Sequence, residues 1–325
     1  MLIENSKTYK GQEIESIFFR PIFTGKAADE FGVRVLYNMP VPTTVQMWSN
    51  RKNILQDFTS GWNGGSTAIK HQQTIDMKKV KAENCFSSED YSSLIYEKIL
   101  ASADVNFGDL TGTDLEKAET EVFRYAIAES VRATMWIGDT TGNNSYHKTF
   151  DGFISHLYAH TDSGLSDIGS HIIDSIDDVE TGKDIFDICW SNALEQLKAL
   201  RSEGHLAFYV SSDIYNKYLQ WLDDKIGDAA YAGTIDGHTT LLYHGIPVIE
   251  VPLMQYDQFF ARSFCVLTDR RNLVLALNTA DSPENEVRMW YNPDEMENRQ
   301  RAVFAIGCEI LDEELVCAGI NLPVA

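Results

Sequence analysis

Two histidines have the spacing of metal ligands on a helix. His156 and His160 are four positions apart, so both imidazoles would lie on one helical face and could bind a Zn²⁺ ion. A zinc site needs at least three protein ligands, and no third one follows nearby in the sequence. We therefore expect both histidines to be polar surface residues.

A loop rich in oxygen side chains resembles part of a calcium site. In Asp139–Ser145, side-chain oxygens stand at alternate positions, as they do in a calcium-binding loop. The glycine and the bidentate glutamate of such a loop are missing, because Asn144 and Phe150 occupy their positions. The sequence therefore predicts a surface turn here and no metal ligands.

Two pairs of adjacent carboxylates are candidates for acid–base chemistry. They are Asp177–Asp178 and Asp223–Asp224, but neighbouring residues point in different directions on a helix or a strand, so we expect solvated ends of elements. The sequence also lacks the GxxxxGK[S/T] phosphate loop and the GxGxxG, HExxH and GxSxG motifs. It therefore predicts no catalytic residues, no cofactor-binding residues and no enzyme.

The chain is acidic overall but basic in one segment. It has 27 Lys and Arg against 48 Asp and Glu, a net charge of −21 that repels nucleic-acid phosphates and argues against a sequence-specific DNA reader. Within residues 35–82, the basic residues are Arg51, Lys52, Lys70, Lys78, Lys79 and Lys81, and the acidic ones are Asp57 and Asp76. We expect this segment to lie on the acidic body of a neighbouring copy.

Length and composition indicate a folded protein. The 325 residues, of which 44% are hydrophobic, can bury a substantial core. The five cysteines are odd in number and mostly lie in apolar stretches, so we expect reduced, buried thiols at Cys85, Cys189, Cys265, Cys308 and Cys317. The first residues do not resemble a signal peptide and the apolar runs are too short to span a bilayer, so we expect the chain to stay in a cytoplasm.

The first third of the chain is predicted to be extended. The apolar stretch Ile17–Phe23 is interrupted by Pro21 and has no amphipathic helix beside it, so it indicates an arm that another surface must cover. A strand is predicted over Val33–Tyr37, and a long excursion between Thr43 and Lys81 with a turn-rich tip at Thr59–Ser66. A two-stranded hairpin is not stable alone in water, so a neighbour should hold it. Otherwise three aromatic residues would be exposed, namely Trp48, Phe58 and Trp62.

The best-defined element is a long helix. Thr113–Glu116 has the spacing of a capping box, and Gly138 is suited to a left-handed cap, so we predict a helix over 114–137, roughly 36 Å long. Its predicted apolar stripes are Leu115, Ala118, Val122, Ala126 and Ala133, and beside them Phe123, Ile127 and Val131. A shorter helix is predicted to begin near Ser88.

The second half of the chain consists of shorter alternating elements. Helices are predicted from about 183 to 201 and from Ser211 or Ser212, with a strand over Leu206–Val210 between them. Further strands are predicted over Tyr243–Val251, Ser263–Leu267, Asn272–Leu277, Arg301–Ile310 and Glu314–Ala318, the last two as a pair. The mixture predicts an α+β protein with a seam near residues 181–185.

The order of several short motifs resembles that of the major capsid proteins of tailed double-stranded DNA bacteriophages of the Hong Kong 97 type. Each motif is weak alone, and their order and spacing over nearly the whole chain from about residue 30 carry the resemblance. The motifs are Met135–Asp139 at the end of the long helix, Thr149–Gly152 ("FDG"), Phe208–Ser211, Tyr243–Val248 ("GIPV"), Leu267–Val274 ("NLV") and Arg301–Gly307.

The resemblance implies an α+β Hong Kong 97-like phage capsid fold. Its expected parts are an N-terminal arm (1–32), a peripheral domain (33–43 and 81–182) with spine helix 114–137, an extended loop (44–80), an axial domain (183–285), and C-terminal strands (286–325) that return to the peripheral domain.

The same resemblance implies a structural protein without cofactors. Copies would assemble as hexamers and pentamers, through the arm and the extended loop, into an icosahedral shell around the double-stranded DNA genome. The other implied partners are portal and separate scaffold proteins, decoration or head-to-tail connector proteins, and packaged DNA that contacts the inner face non-specifically, with no membrane. The implied location is the virion capsid, assembled in the bacterial host cytoplasm.

Three alternatives stay open. Some relatives cross-link an extended-loop lysine to a neighbour's asparagine; Lys52 and Lys70 are candidates, but no partner can be matched in the sequence. An encapsulin-like nanocompartment shares the fold and encloses cargo enzymes. An acidic hydrolase would need carboxylates that converge in a pocket.

Overall fold

The computed structural model describes most of the chain, with gaps. The described residues are 7–10, 13, 17–18, 32–39, 43–49, 58–61, 69–87, 114–141, 147–162, 172–173, 182–226, 234–235, 238–239, 241–252, 263–279, 286–292, 294–295 and 297–322. The helix predicted near Ser88, the capping residue Thr113 and the pair Asp177–Asp178 lie outside them. Among the described helices, none combines the length and apolar character that crossing a lipid bilayer requires.

The described residues form strands and five α-helices. The strands are β1 (Lys7–Lys10), β2 (Arg34–Tyr37), β3 (Thr43–Ser49), β4 (Ile69–Ile75), β5 (Lys78–Ser87), β6 (Ile172–Ile173), β7 (Leu206–Ser211), β8 (Thr234–Ile235), β9 (His238–Thr239), β10 (Leu242–Tyr243), β11 (Ile246–Val251), β12 (Ser263–Asp269), β13 (Leu273–Asn278), β14 (Glu286–Asn292), β15 (Glu297–Ile310) and β16 (Val316–Leu322). The α-helices are α1 (Asp114–Ile137), α2 (Phe153–Asp162), α3 (Asp184–Asn192), α4 (Glu195–Ala199) and α5 (Ser212–Ile226).

The first sheet is organised around β15. It has the order β1-β14-β15-β13-β2, and β5 pairs with the opposite edge of β15. Alternate residues of β15, such as Ala302 and Phe304, are buried against Phe123 and Ile127 of α1. Because a strand alternates its side chains and a helix has one apolar stripe, both patterns are satisfied by one layer of helix on one layer of sheet.

Helix α1 occupies the residues predicted from the sequence, but two details differ. The buried stripe runs through Phe123, Ile127 and Val131, whereas Val122 and Ala126, predicted to be core, are exposed. Gly138 is also not among the glycines with positive φ, so the prediction of a left-handed cap was wrong.

Gly138 is required instead by a close approach of two backbone segments. A Cβ atom on Gly138 would lie 2.3 Å from the Phe150 carbonyl oxygen, and one on Gly152 would lie 2.7 Å from the Gly138 nitrogen. The Gly152 amide donates to the Gly138 carbonyl at 2.8 Å, and the Ser155 hydroxyl donates to the same oxygen. The "FDG" turn is therefore held directly against the end of α1, and α2 starts from it.

The second sheet has buried strands at its centre. Its order is β10-β11-β7-β12-β16-β6, with β7 and β11 parallel and β12 antiparallel to both β7 and β16. All six residues of β7 are buried. One face of this sheet packs on α3 and α5 through an aromatic group that includes Phe186, Phe208 and Tyr218.

The other face of the second sheet packs against α1. The Trp136 ring lies 5.3 Å from those of Phe153 and Tyr209 and 5.7 Å from that of Phe264, measured between centroids. Aromatic contacts of this size bury much apolar area, so they join the end of α1, α2 and the second sheet into a shared core.

The predicted terminal strand pair is wrong. β15 belongs to the first sheet, whereas β16 pairs with β12 in the second sheet. The range 183–285 predicted for the axial domain likewise contains β13, which pairs with β15 and β2. After β6, the chain therefore crosses between the sheets twice, after β12 and after β15. Pairing partners so far apart in sequence cannot be read from a local pattern.

Two predicted elements of the second half are shorter than expected. The helix predicted over 183–201 is interrupted at Ala193, where the backbone is extended between α3 and α4. The strand predicted over Tyr243–Val251 is a hairpin of β10 and β11. His244 and Gly245 both have positive φ, as a type I′ turn requires.

A buried asparagine ties the two crossings together. The Asn272 amide nitrogen donates to the Asp312 carbonyl at 2.7 Å and to the Thr268 hydroxyl at 3.2 Å. Its side-chain oxygen accepts from the Asp312 amide at 2.8 Å. Thr268 and Asn272 flank the crossing after β12, and Asp312 lies in the crossing after β15. The Asn272 side chain therefore fixes the distance between these two crossings.

Part of the predicted arm is covered by its own chain. Phe18 is completely buried and packs edge-on against Phe123, with ring centroids 6.4 Å apart, and Ile17 packs partly against the same core. β1 also pairs with β14. The prediction that Ile17–Phe23 must be covered by another surface is therefore wrong for Ile17 and Phe18, and the rest of that stretch lies outside the described residues.

Four of the five cysteines are buried and all five are free thiols, but Cys85 is exposed on β5. Burial raises the pKa of the Cys308 thiol well above its ordinary value, so this side chain stays protonated. The prediction of buried thiols was wrong for Cys85 because alternate residues of an edge strand face outward.

We expect Gly152→Ala to lower the free energy of unfolding by about 1–3 kcal/mol, because the added methyl group meets only backbone atoms, which cannot rotate away. Denaturant unfolding of the purified protein measures the loss. Gly204→Ala is the matched control, since a Cβ there meets no atom within 4 Å and only the strain of its positive φ acts. Equal losses for the two variants would contradict the close-packing argument.

Candidate functional site

One histidine of the predicted pair, His156, is partly buried against the first sheet. His156 is only partly exposed, and its Nδ1 atom lies 3.4 Å from Oε1 of Glu309 on β15. The prediction of a polar surface residue was therefore wrong for His156, because α2 packs that side of the helix against the first sheet. His160 lies in α2 outside the residues whose side chains are described.

The oxygen-rich loop is a hydrogen-bonded turn over its described residues. Oδ1 of Asp139 accepts from the Thr141 amide at 2.8 Å and the Thr141 hydroxyl at 2.7 Å. Oδ1 of Asp151 accepts from the amide and the hydroxyl of Thr140, both at 2.8 Å. In the described part of the chain, no group of three or more His, Cys, Asp or Glu side chains could hold a metal ion.

A serine–carboxylate contact was not predicted. The Ser211 hydroxyl donates to Oδ1 of Asp213 at 2.5 Å, and the Ser263 hydroxyl donates to Oδ2. Both hydroxyls use a carboxylate in the first turn of α5, which links the ends of β7 and β12 to that helix. A nucleophilic serine needs a base that accepts its proton, usually a histidine, so this contact has the geometry of an anchor. Only the pairing of β7 with β12 brings Ser263 to this position, and no local sequence signal marks it.

The root of a long hairpin is held by its own chain. β3 pairs antiparallel with β4. Thr43 lies opposite Ile75 at one end of the pairing, and Ser49 lies opposite Ile69 at the other. Ile75 and Met77 are buried in a cluster that also contains Val274, Ala276, Ala305 and Leu311. A Cβ on Gly307 of β15 would lie 2.5 Å from the Asp76 carbonyl oxygen, so only glycine lets the hairpin root cross this strand.

The hairpin is shorter than the predicted loop. The sequence predicted an extended loop over 44–80, whereas β4 ends at Ile75 and β5 starts at Lys78 in the first sheet. The prediction that only a neighbour holds this segment is thus wrong at its root.

The tip of the hairpin is exposed, whereas its root is buried. The Phe58 side chain is 98% exposed, and Gly61 has a φ of +101°. The Trp48 side chain and Trp62 lie outside what the structure describes. The fold of one chain therefore leaves the Phe58 ring almost fully in water.

A second exposed apolar feature lies on α1. Val122 is 52% exposed and Tyr125 is 67% exposed, and they are three positions apart on one helical face. Glu121 and Glu129 are exposed beside them. The opposite side of the helix is buried, and there Glu119 accepts from the side-chain amides of Asn298 and Gln300.

These two features were only partly visible in the sequence. The exposure of Phe58 was predicted from the turn-rich tip, and the structure confirms it. The exposed face of α1 was missed because Val122 and Ala126 fit a helical apolar stripe as well as the true core residues do. Only the position of the first sheet decides which stripe is buried.

Comparisons with known proteins identify the fold. No protein-family model and no curated protein sequence matches the chain. A chain in the structure of the satellite phage P4 procapsid with its size determination (Sid) protein matches with a TM-score of 0.58 at 8% identity, over 96% of this chain and 98% of that chain.

Two further solved structures agree. The capsid of an empty GTA particle gives a TM-score of 0.51 at 13% identity, over 92% of this chain and 91% of that chain. The holo-SrpI encapsulin complex from Synechococcus elongatus PCC 7942 gives 0.51 at 11% identity, over 90% and 86%. The matches extend along nearly the whole length of each chain, so the protein has the α+β Hong Kong 97-like capsid fold that the order of its motifs predicted.

Proposed function

We propose that the chain is the major capsid protein of a tailed double-stranded DNA bacteriophage. Copies associate as hexamers and pentamers into an icosahedral shell that encloses the genome. The observation that carries the proposal is a fold found in a procapsid and a capsid, together with a projecting hairpin whose tip residue Phe58 is exposed. The chain acts as a structural protein and not as an enzyme.

The parts of the fold then take the following roles. The first sheet with α1 and α2 forms the peripheral domain, and the second sheet with α3 and α5 forms the axial domain. The extended loop is the hairpin of β3 and β4, and β16 belongs to the axial domain. This division replaces the one expected from the sequence, in which all C-terminal strands return to the peripheral domain.

The tip of one copy docks on α1 of another in this proposal. Phe58 supplies an apolar group, and Val122 and Tyr125 supply an apolar patch that is flanked by Glu121 and Glu129. The hairpin segment also contains the basic residues Arg51, Lys52 and Lys70. Apolar contact in the centre with opposite charges around it is the usual composition of a protein interface.

A single contact of this kind is weak. Burying one Phe side chain contributes about 1.5–3 kcal/mol, and each exposed ion pair about 0–1 kcal/mol. Association of two proteins costs more than this in lost freedom of motion. The contact therefore holds subunits together only when symmetry repeats it around a closed shell. In such a shell, the hairpin tip of every subunit docks on a neighbour, and its α1 receives the tip of another.

The remaining partners follow from the shell role. Assembly takes place in the cytoplasm of the bacterial host, with a separate scaffold protein and a portal, and the product is the virion capsid. Decoration or head-to-tail connector proteins bind the finished shell. DNA contacts the inner face without sequence specificity, and this contact is weak because a net charge of −21 repels phosphates.

We expect the hairpin to be required for shells but not for folding. Thr43 and Ile75 are directly paired, so an Asn-Gly turn can replace residues 44–74. Ser49 and Ile69 are paired too, so the same turn can replace residues 50–68 and leave the strands in place. Both variants should give soluble subunits with unchanged circular dichroism and no closed shells by electron microscopy. Normal shells from either variant would contradict the role of the tip.

The proposed contact can be tested residue by residue. Phe58→Ser and Tyr125→Ser change exposed side chains, so each should leave the free energy of unfolding within about 0.5 kcal/mol. Each should raise the critical concentration for assembly roughly tenfold, measured by sedimentation.

The double variant decides whether the two residues touch. If they do, the double variant should be little worse than either single one, whereas independent roles would multiply the effects. Leu242→Ser is the matched control, since this residue is 39% exposed but lies on β10. Unchanged assembly of the single variants would remove the proposed contact.

An encapsulin-like shell is the alternative, and the match to an encapsulin complex favours it as much as the match to the GTA capsid does. The contents of assembled particles separate the two. We expect particles purified from the native source to contain nuclease-protected double-stranded DNA, visible as a high ratio of absorbance at 260 to 280 nm. Particles that contain a co-purifying enzyme and no nucleic acid would establish the alternative.

A further inference from the structure

The first sheet ends in a long strand edge. The whole length of β5 pairs with β15. Lys78 lies opposite Ile306 at one end of β5, and Ser87 lies opposite Glu297 at the other. No other strand in the described part of the chain pairs with its opposite side. A strand edge of this length offers a row of backbone N–H and C=O groups that can pair with another strand.

The outward side chains of β5 carry an ordered set of charges. Lys79, Lys81, Glu83 and Cys85 are exposed and alternate with Val80 and Ala82, which pack partly against the core. Within one chain, Nζ of Lys81 lies 2.8 Å from Oε2 of Glu83. Opposite charges therefore stand two positions apart on the exposed face of an edge strand.

Only one register of two such strands, with their exposed faces on one side of the sheet, combines pairs of opposite charge with no pair of like charge. If two copies of β5 pair antiparallel about Ala82, Lys81 of each copy faces Glu83 of the other, and Lys79 faces Cys85. A shift of two positions one way places Lys81 opposite Lys81, which opposes the two Lys79–Glu83 pairs formed in that register. A shift the other way places Glu83 opposite Glu83. Like charges directly opposite one another destabilise a sheet, whereas opposite charges stabilise it.

We propose that β5 of one subunit pairs antiparallel about Ala82 with β5 of a second copy of this chain, so that the first sheets of two subunits form one sheet across a two-fold axis. The inference rests on the proposed self-assembly and adds a second contact to it, separate from the hairpin tip. Lysines on an edge strand usually prevent pairing with other strands. Here Glu83 makes one partner, the same strand in another copy, compatible with them.

Disulfide trapping tests the register in the full-length protein. In the Lys79→Cys variant, position 79 of one copy faces the exposed native thiol of Cys85 in the other. Mild oxidation of assembled particles should give a dimer on a non-reducing gel, and peptide mapping should find the 79–85 linkage between copies. Lys81→Cys is the matched control, because position 81 faces Glu83 and should give a dimer at less than a tenth of that yield. Cys85→Ser in the Lys79→Cys background should abolish the dimer.

A charge exchange tests the reason for the register. Added to the Lys79→Cys variant, Lys81→Glu places carboxylates opposite one another and should lower the yield of cross-linked dimer at least fivefold. The further change Glu83→Lys restores the complementary pairs and should restore the yield. Failure of the restored variant to cross-link would overturn the electrostatic argument.

The outcomes separate this inference from the proposed function. Closed shells that contain Lys79→Cys subunits without the 79–85 linkage would overturn the strand pairing and leave the shell role intact. Absence of shells from the unsubstituted chain would overturn the shell role, and cross-linking of soluble oligomers would still decide the pairing. If Lys79→Cys fails to fold, a carbodiimide cross-link between Lys81 and Glu83 in a mixture of isotope-labelled and unlabelled chains makes the same measurement. Cross-linked peptides that join a labelled chain to an unlabelled chain would support the pairing between copies, and the absence of such peptides would overturn it.

Discussion

The fold depends on the side chain of Asn272, which holds together the passages from one sheet to the other that follow β12 and β15. It is buried and makes hydrogen bonds to Thr268 and Asp312 on either crossing. A buried amide with its hydrogen bonds made rigidifies its surroundings, whereas one without partners is costly. Because the sheets are joined at this point, Trp136 at the end of α1 can pack on the second sheet, and one core includes both.

A rigid body of this kind suits a protein that works through its surfaces. The hairpin root is fixed by Ile75, Met77 and the close approach at Gly307, so the exposed tip extends from a defined position. The exposed face of α1 is equally fixed, since its other face is buried against the first sheet. Contacts that are weak one by one can then be repeated with the same geometry in every copy, which is what the proposed closed shell requires.

The matched structures share between 8% and 13% of their residues with this chain, yet they cover most of its length. One fold can be formed by very different sequences, because many combinations of side chains can satisfy the same pattern of buried and exposed positions. A few close contacts between backbone segments restrict the choice of residue more strictly. Gly152 against Gly138 and Gly307 against Asp76 are contacts of this second type, since any side chain would collide with backbone atoms.

Local pattern determined the elements. The length of α1, the strands at β7 and β12, the turn-rich tip with Phe58 and the α+β class all follow from periodicity and turn residues within short windows. Tertiary structure alone decided which elements meet. The burial of Phe18, the contact of His156 with Glu309, the exposure of Val122 and the separation of β15 from β16 all depend on partners distant in the sequence. A local pattern shows that a side chain is apolar or polar, but only the packed chain determines whether its neighbour is another segment, solvent or a second copy.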